Sequence, residues 1–178
     1  MTNIQSKSTK ILIMGLDNSG KTSIVLSLSQ NTDLPSYCRL KPTQGANIVT
    51  IEENNLKFNI WDLGGQKEYR LEYLDNLDKY LYEVDRFIYV IDVQDAERYD
   101  IALQYLKSVI EGFKNKYKGV DFSIFLHKYD PIFEMRSNFN KNVDEKLIKP
   151  IKKLIPSDCN CKIYRTSIYT VFKKNLVP

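Results

Sequence analysis

Short apolar runs rich in β-branched and aromatic residues recur along the chain, and in the stretches between them apolar residues return at helical spacing. Residues 10–14, 48–51, 58–61, 87–91, 122–126 and 162–164 read as strands. Strands separated by helical stretches predict βαβ units, and so an α/β fold with a mostly parallel central sheet and helices on both faces. No internal repeat and no low-complexity linker interrupts this order. Each strand ends near a loop of unusual chemistry, and in an open α/β sheet ligands bind beyond the carboxyl ends of the strands. Motifs far apart in sequence can therefore meet at one site. The pattern thins at the end of the chain, where a helix over residues 170–177 would be only about 12 Å long. Val171, Phe172 and Leu176 give such a short C-terminal helix little apolar cover. Sheet or helix surface near Ile11, Ile13 and Ile163 is then expected to lie open and to mark an interface.

With 178 residues, 43% of them hydrophobic, the chain can bury one sizeable core, and a single domain over residues 1–178 with a polar lead segment at 1–9 is expected. Lys and Arg number 26 against 22 Asp and Glu. That balance is too mild and too dispersed for a nucleic-acid binder. Cys38, Cys159 and Cys161 make an odd count, and the Cys159-Asn160-Cys161 pair lacks a second pair to complete a metal site. Free thiols suit a reducing, cytoplasmic setting. No apolar run approaches the roughly 20 residues of a membrane span. Thr2 stands where N-myristoylation needs Gly, and Leu176-Val177-Pro178 offers no prenylatable Cys, so no lipid anchor is expected.

The chemistry begins at Gly15-Leu16-Asp17-Asn18-Ser19-Gly20-Lys21-Thr22, which fits G-x-x-x-x-G-K-[ST] without a mismatch. An apolar strand run precedes it, and Ser23 onward can continue a helix. That order lets Gly15 and Gly20 bend the backbone closely around phosphates, so that the N–H groups from Asp17 to Ser23 and a helix N-terminus point at them. Lys21 adds a charge at the β- and γ-phosphates, and the Thr22 hydroxyl can ligate Mg²⁺. A second constellation, Trp61-Asp62-Leu63-Gly64-Gly65-Gln66, ends a strand in an acid followed by two glycines. Asp62 is placed to hold Mg²⁺ through water, the Gly65 N–H to meet a γ-phosphate, and Gln66 to orient the attacking water as the catalytic partner of Lys21. Between them, residues 31–47 form a long polar stretch with little secondary-structure signal, and such loops are uncommon unless functional. Its Thr43 is the candidate for a second hydroxyl on Mg²⁺, drawn in when a γ-phosphate is bound.

A fourth element selects the base. The run at 122–126 leads into His127-Lys128-Tyr129-Asp130, where the Asp130 carboxylate can accept two hydrogen bonds from guanine N1–H and its 2-amino group; adenine has no such donor pair. The Lys128 stem can lie over the base. His127 reads as a partly buried residue with a satisfied ring, since a general base would be needed at the far, phosphate end.

These motifs, in this order, resemble those of Ras-superfamily small GTPases, which share the P-loop NTPase fold. Residues 15–22, Pro42-Thr43-Gln44-Gly45-Ala46-Asn47 and 61–66 resemble the Arf family, whereas His127 to Asp130 and Arg165-Thr166-Ser167-Ile168-Tyr169 look like the Rag family. The resemblance implies that the loop containing Ser167 and Ile168 meets the guanine oxygen through a backbone N–H. It also implies a slow, Mg²⁺-dependent GTPase switch that binds GTP and GDP. An exchange factor, an activating protein and an effector would be its partners, none of them named by the sequence. Rag proteins work as dimers, which makes a homo- or hetero-dimer an expectation here. The Arf pattern is incomplete. Of the aromatic trio that Arf proteins show to effectors, Trp61 is kept, but Ala46 and Asn76 stand at the other two positions. Two other readings share the P-loop: a kinase, which would have no use for Asp130, and a nucleotide-dependent assembly module that does not hydrolyse. No Arg is placed as a built-in finger, with Arg39 the nearest candidate.

Overall fold

Period-two alternation along the strands sorts the core into two layers. The computed structural model describes residues 8–29, 33–113 and 119–169. Six strands form one sheet: β1 (Ser8–Gly15), β2 (Ala46–Glu53), β3 (Leu56–Leu63), β4 (Arg86–Asp92), β5 (Asp121–His127) and β6 (Cys161–Arg165). Their spatial order is β2-β3-β1-β4-β5-β6. β2 runs antiparallel to β3, and every other pairing is parallel. Each strand expected from the sequence is present and extends further at its ends. Ser8 and Thr9, assigned above to a polar lead, instead open β1, paired with Lys57 and Phe58; the ladder hydrogen bonds outweigh the polarity of two edge-lying side chains. β2 turns into β3 through Asn54 (φ 50°) and Asn55 (φ 64°), a two-residue hairpin in which both positions take the left-handed backbone that asparagine tolerates.

Eight helices are described among these residues: α1 (Lys21–Leu28), α2 (Leu34–Cys38), α3 (Lys67–Asp75), α4 (Leu77–Leu81), α5 (Tyr99–Phe113), α6 (Pro131–Glu134), α7 (Ser137–Val143) and α8 (Lys149–Leu154). A π-type turn over Asp144–Ile148 joins α7 to α8. On one face of the sheet, Leu12, Met14, Phe87, Tyr89, Phe122 and Ile124 meet Tyr73, Leu77, Leu106, Val109, Leu147 and Ile151 from the helices. α5 contributes more to that layer than any other helix because its buried residues fall at i, i+3, i+6, i+7, i+10, i+11 and i+14 from Tyr99, one face of the helix. On the other face, Ile11, Ile13, Ile60 and Val90 pack with Ile24 and Val25 of α1. This corrects one expectation. Ile11 and Ile13 are buried rather than open, because α1 lies over them, while Ile163 is half-buried in the opposite layer. The short helix expected over 170–177 lies outside the described residues.

The stretch between α1 and β2 also differs from expectation, since it contains α2. Asp33 caps that helix, its Oδ1 accepting from the Ser36 N–H at 3.0 Å, with Pro35 in the first turn. An Asp followed by Pro and Ser is a readable helix start. The register of the parallel strands brings Gly15, Asp92, His127 and Arg165 to the same edge of the sheet, where the loops that follow them gather.

Candidate functional site

The loop from β1 to α1 passes through left-handed backbone at Asn18 (φ 57°) and Gly20 (φ 91°). Gly20 caps α1 and, among the described residues, no side-chain cap bonds to the first turn of that helix. The N–H groups of that turn, with the positive end of the helix dipole, are available to an anion. Lys21 is buried, and its Nζ donates to the carbonyls of Leu16 (2.7 Å) and Gly15 (3.2 Å). Burial lowers its pKa to about 8, against the pull of Asp62 and Asp17. An ammonium held out of water by two neutral carbonyls gains most from a neighbouring phosphate. Asp17, Asn18, Gly20, Lys21, Thr22 and Ser23 line a cavity of about 250 Å³ together with Thr43, Gly65 and Gln66. Ser19 is set apart from these. Its hydroxyl is buried without a hydrogen-bond partner among the described residues, beside Asp92 and Arg98 beneath the loop.

At one end of this cavity three oxygens converge. Thr22 Oγ1 donates to Asp62 Oδ2 at 2.5 Å, Thr43 Oγ1 donates to the same oxygen at 3.2 Å, and the two hydroxyls are 2.9 Å apart. Asp62 Oδ1 is buried with no hydrogen-bond partner among the described residues. Burial pushes the Asp62 carboxyl above its ordinary pKa, while the Thr22 hydroxyl, Lys21 and Thr43 pull it back. Hydroxyls and a single carboxylate form a hard donor set. Among the described residues no group of three or more His, Cys, Asp or Glu could hold a metal alone. The set therefore fits a small divalent cation that keeps waters and phosphate oxygens, and Asp62 Oδ1 is the acceptor such a shell would satisfy.

The segments after β3 and before β2 close over the loop. Gly65 lies against the backbone of Leu16 and Asp17 and accepts the Asp17 N–H at 3.0 Å. Gly64 donates to the Gly45 carbonyl at 2.9 Å, which ties the segment after β3 to the segment that carries Thr43. Gln66 caps α3 and lines the cavity beside Gly65.

A second group of the expected site residues gathers where β5 ends. Asp130 Oδ1 accepts the Ser167 hydroxyl, and Oδ2 accepts Gln94 Nε2 at 2.9 Å. Lys128 takes left-handed backbone (φ 60°), and its Nζ pairs with Asp92 Oδ2 at 2.6 Å. His127 is buried, with Nδ1 3.0 Å from Thr166 Oγ1 and its ring against Gly20. Burial lowers its pKa, reinforced by Lys128, so the neutral ring works as a spacer between the phosphate loop and the 166–168 loop. Thr166 donates its N–H to Leu126 and accepts that of Tyr129, both at 3.0 Å, which holds Ser167 beside Asp130. Ile168 follows on the same loop and is exposed.

The model of the ADP-ribosylation factor (Arf) family matches residues 1–173. The chain belongs to the Arf family. It is 36% identical over 124 residues to ADP-ribosylation factor F of Dictyostelium discoideum, an alignment covering 70% of this chain and 61% of that protein. ADP-ribosylation factor-like protein 2 of the same organism is 39% identical over 126 residues, covering 71% and 63%. The match thus spans less than two thirds of these relatives. The solved Arl6 BBS3 small GTPase of Trypanosoma brucei with bound nucleotide analogue GppNp superposes with a TM-score of 0.67 at 22% identity, covering 90% of this chain and 87% of that one. That likeness shows the small-GTPase fold.

Trp61 is half-buried, and Lys10 Nζ lies 4.3 Å over its ring while donating to the carbonyls of Tyr82 (2.7 Å) and Tyr80 (3.0 Å). Ala46 and Asn76 are exposed. Two residues at the site escaped the sequence reading, Gln94 and Arg98. The Arg98 guanidinium, from the turn before α5, grips both Asp17 carboxylate oxygens at 3.1 and 3.2 Å and Asp95 at 2.5 Å. Arg39, the arginine singled out from the sequence, is exposed at the end of α2. Neither Gln94 nor Arg98 sits in a motif, and only the fold carries them to the loops they hold.

Proposed function

We propose that this chain is a GTP-binding switch that uses Mg²⁺ and hydrolyses GTP slowly to GDP and phosphate. The observation that carries the reading is the convergence of Thr22, Thr43 and Asp62 beside Lys21, at the same sheet edge as Asp130 and Ser167. Phosphate chemistry and guanine recognition thereby share one site. Thr22, Thr43 and, through water, Asp62 would hold Mg²⁺, which neutralises charge developing on the β- and γ-phosphate oxygens. Lys21 and the loop N–H groups bind the same phosphates. Gln66 holds the attacking water in line, and the Gly65 N–H donates to the γ-phosphate. Because Thr43 and Gly65 both touch that region, loss of the γ-phosphate releases both segments, and partner binding changes with it. Exchange factor, activating protein and effector belong to this proposal as classes of partner. A cytoplasmic setting is consistent with free Cys38, Cys159 and Cys161. The guanine loop keeps its Rag-like histidine within an Arf-family chain.

Single-turnover hydrolysis tests the reading. The intrinsic rate is expected near the value typical of unassisted Ras-type proteins, about 10⁻⁴ s⁻¹. Gln66→Leu should lower it roughly tenfold or more with GDP binding unchanged. An equal rate in Gln66→Leu removes Gln66 from the mechanism. Tight GTP binding with no turnover at all would select the assembly module instead.

A further inference from the structure

The last residue of β4 and the two that follow it grip the guanine-side loop one by one. The Val93 N–H donates to the His127 carbonyl at 3.0 Å, Asp92 Oδ2 pairs with Lys128 Nζ at 2.6 Å, and Gln94 Nε2 donates to the Lys128 carbonyl (2.8 Å) and to Asp130 Oδ2 (2.9 Å). Gln94 is itself fixed, since its N–H donates to Asp92 Oδ1 at 2.9 Å. Both partners of its side chain are acceptors, so the amide must present NH₂ to them. With Ser167 donating to the other oxygen, the Asp130 carboxylate is held from two sides. A carboxylate has about four lone-pair sites, which leaves one on each oxygen for a base. Gln94 is solvent-exposed and supports no core.

We propose that Gln94 is a specificity-determining positioning residue for guanine. It acts through Asp130, fixing the plane of the carboxylate so that both oxygens face the N1–H and the 2-amino group together. The inference rests on the guanine reading above. Lys128 gains from the same contact, because its carbonyl is anchored by Gln94 while its ammonium is anchored by Asp92.

Affinities of the full chain for GDP and for IDP, whose base lacks the 2-amino group, give the test. Gln94→Met keeps the length and removes the donor. GDP should weaken by about tenfold, the effect of one charge-assisted hydrogen bond, and IDP by less, so the preference for GDP over IDP narrows. Gln94→Glu sets an acceptor against two acceptors and should weaken GDP further than Gln94→Met does. Equal losses for GDP and IDP, no loss, or the reverse order of the two variants overturns the inference. A wild-type chain that binds GDP no better than ADP removes the guanine reading itself. Wild-type selectivity with an unaffected Gln94→Met removes only the role of Gln94.

Discussion

Gly65→Ala is expected to cost about a hundredfold or more in single-turnover GTP hydrolysis while leaving GDP binding nearly intact. A β-carbon on Gly65 would come well inside 3.0 Å of the Asp17 nitrogen and of the Leu16 carbonyl carbon and oxygen, all of them backbone atoms. The phosphate loop cannot give way, because Lys21 and Arg98 brace it from below and beside. The segment after β3 must therefore retreat, breaking the 3.0 Å bond from Asp17 N–H to the Gly65 carbonyl and withdrawing both the Gly65 N–H and Gln66 from the cavity. Losing one preorganised donor at developing charge commonly costs a factor of about 10² to 10³. GDP makes no demand on that donor, so the ratio of affinities for a non-hydrolysable GTP analogue and GDP should shift toward GDP. A variant that hydrolyses GTP at the wild-type rate would show that the close approach of Gly65 to the loop has no part in the reaction.

Asp130→Asn is expected to weaken GDP by roughly a hundredfold and to raise affinity for xanthosine diphosphate. Two hydrogen bonds to a charged acceptor are at stake, each worth about 1.5–3 kcal/mol. The asparagine has one acceptor and one donor, matching a base with a carbonyl where guanine carries its amino group. The surroundings choose its orientation. Gln94 can only donate toward position 130, so the asparagine oxygen stays on that side, while the Ser167 hydroxyl can rotate to accept from the new NH₂. Competition of GDP, xanthosine diphosphate and ADP against a fluorescent GDP analogue measures this directly, and an unchanged ranking would show that Asp130 does not read the base.

Much of the architecture was legible because strand signals are local. Residues 122–126 are apolar except for Ser123 and sit between a polar stretch and His127, and β5 formed there because both faces of a central strand are largely buried. The strand, loop and helix order around residues 15–22 and the place of Asp62 near the end of β3 were legible for a related reason: both depend on neighbours in sequence. What stayed hidden depends on neighbours in space. Gln94 and Arg98 lie in a loop of ordinary composition, and their partners Asp130 and Asp17 are 36 and 81 residues away. The fate of Ile11 and Ile13 was misjudged by the same blindness, because counting apolar residues at the end of the chain ignored α1, whose Ile24 and Val25 already lie over them. The cap on Trp61 could not be read either, since a lysine on β1 becomes its neighbour only through the parallel pairing of β1 with β3.

The contact between Gly20 and His127 bears on how this sequence can vary. Position 20 excludes a side chain twice over, once because its φ of 91° suits glycine and again because the His127 ring fills the space a β-carbon would need. Position 127 is bounded in turn by the glycine in front and Thr166 behind. Two sites 107 residues apart thus share one van der Waals gap, and the alphabets tolerated at them are not independent. A bulkier residue at 127 has no glycine side chain to displace, and a smaller one leaves Thr166 without its ring partner. Because its backbone alone holds position 20 to glycine, the constraint runs one way: residue 127 can vary only within the space that glycine leaves in front of it.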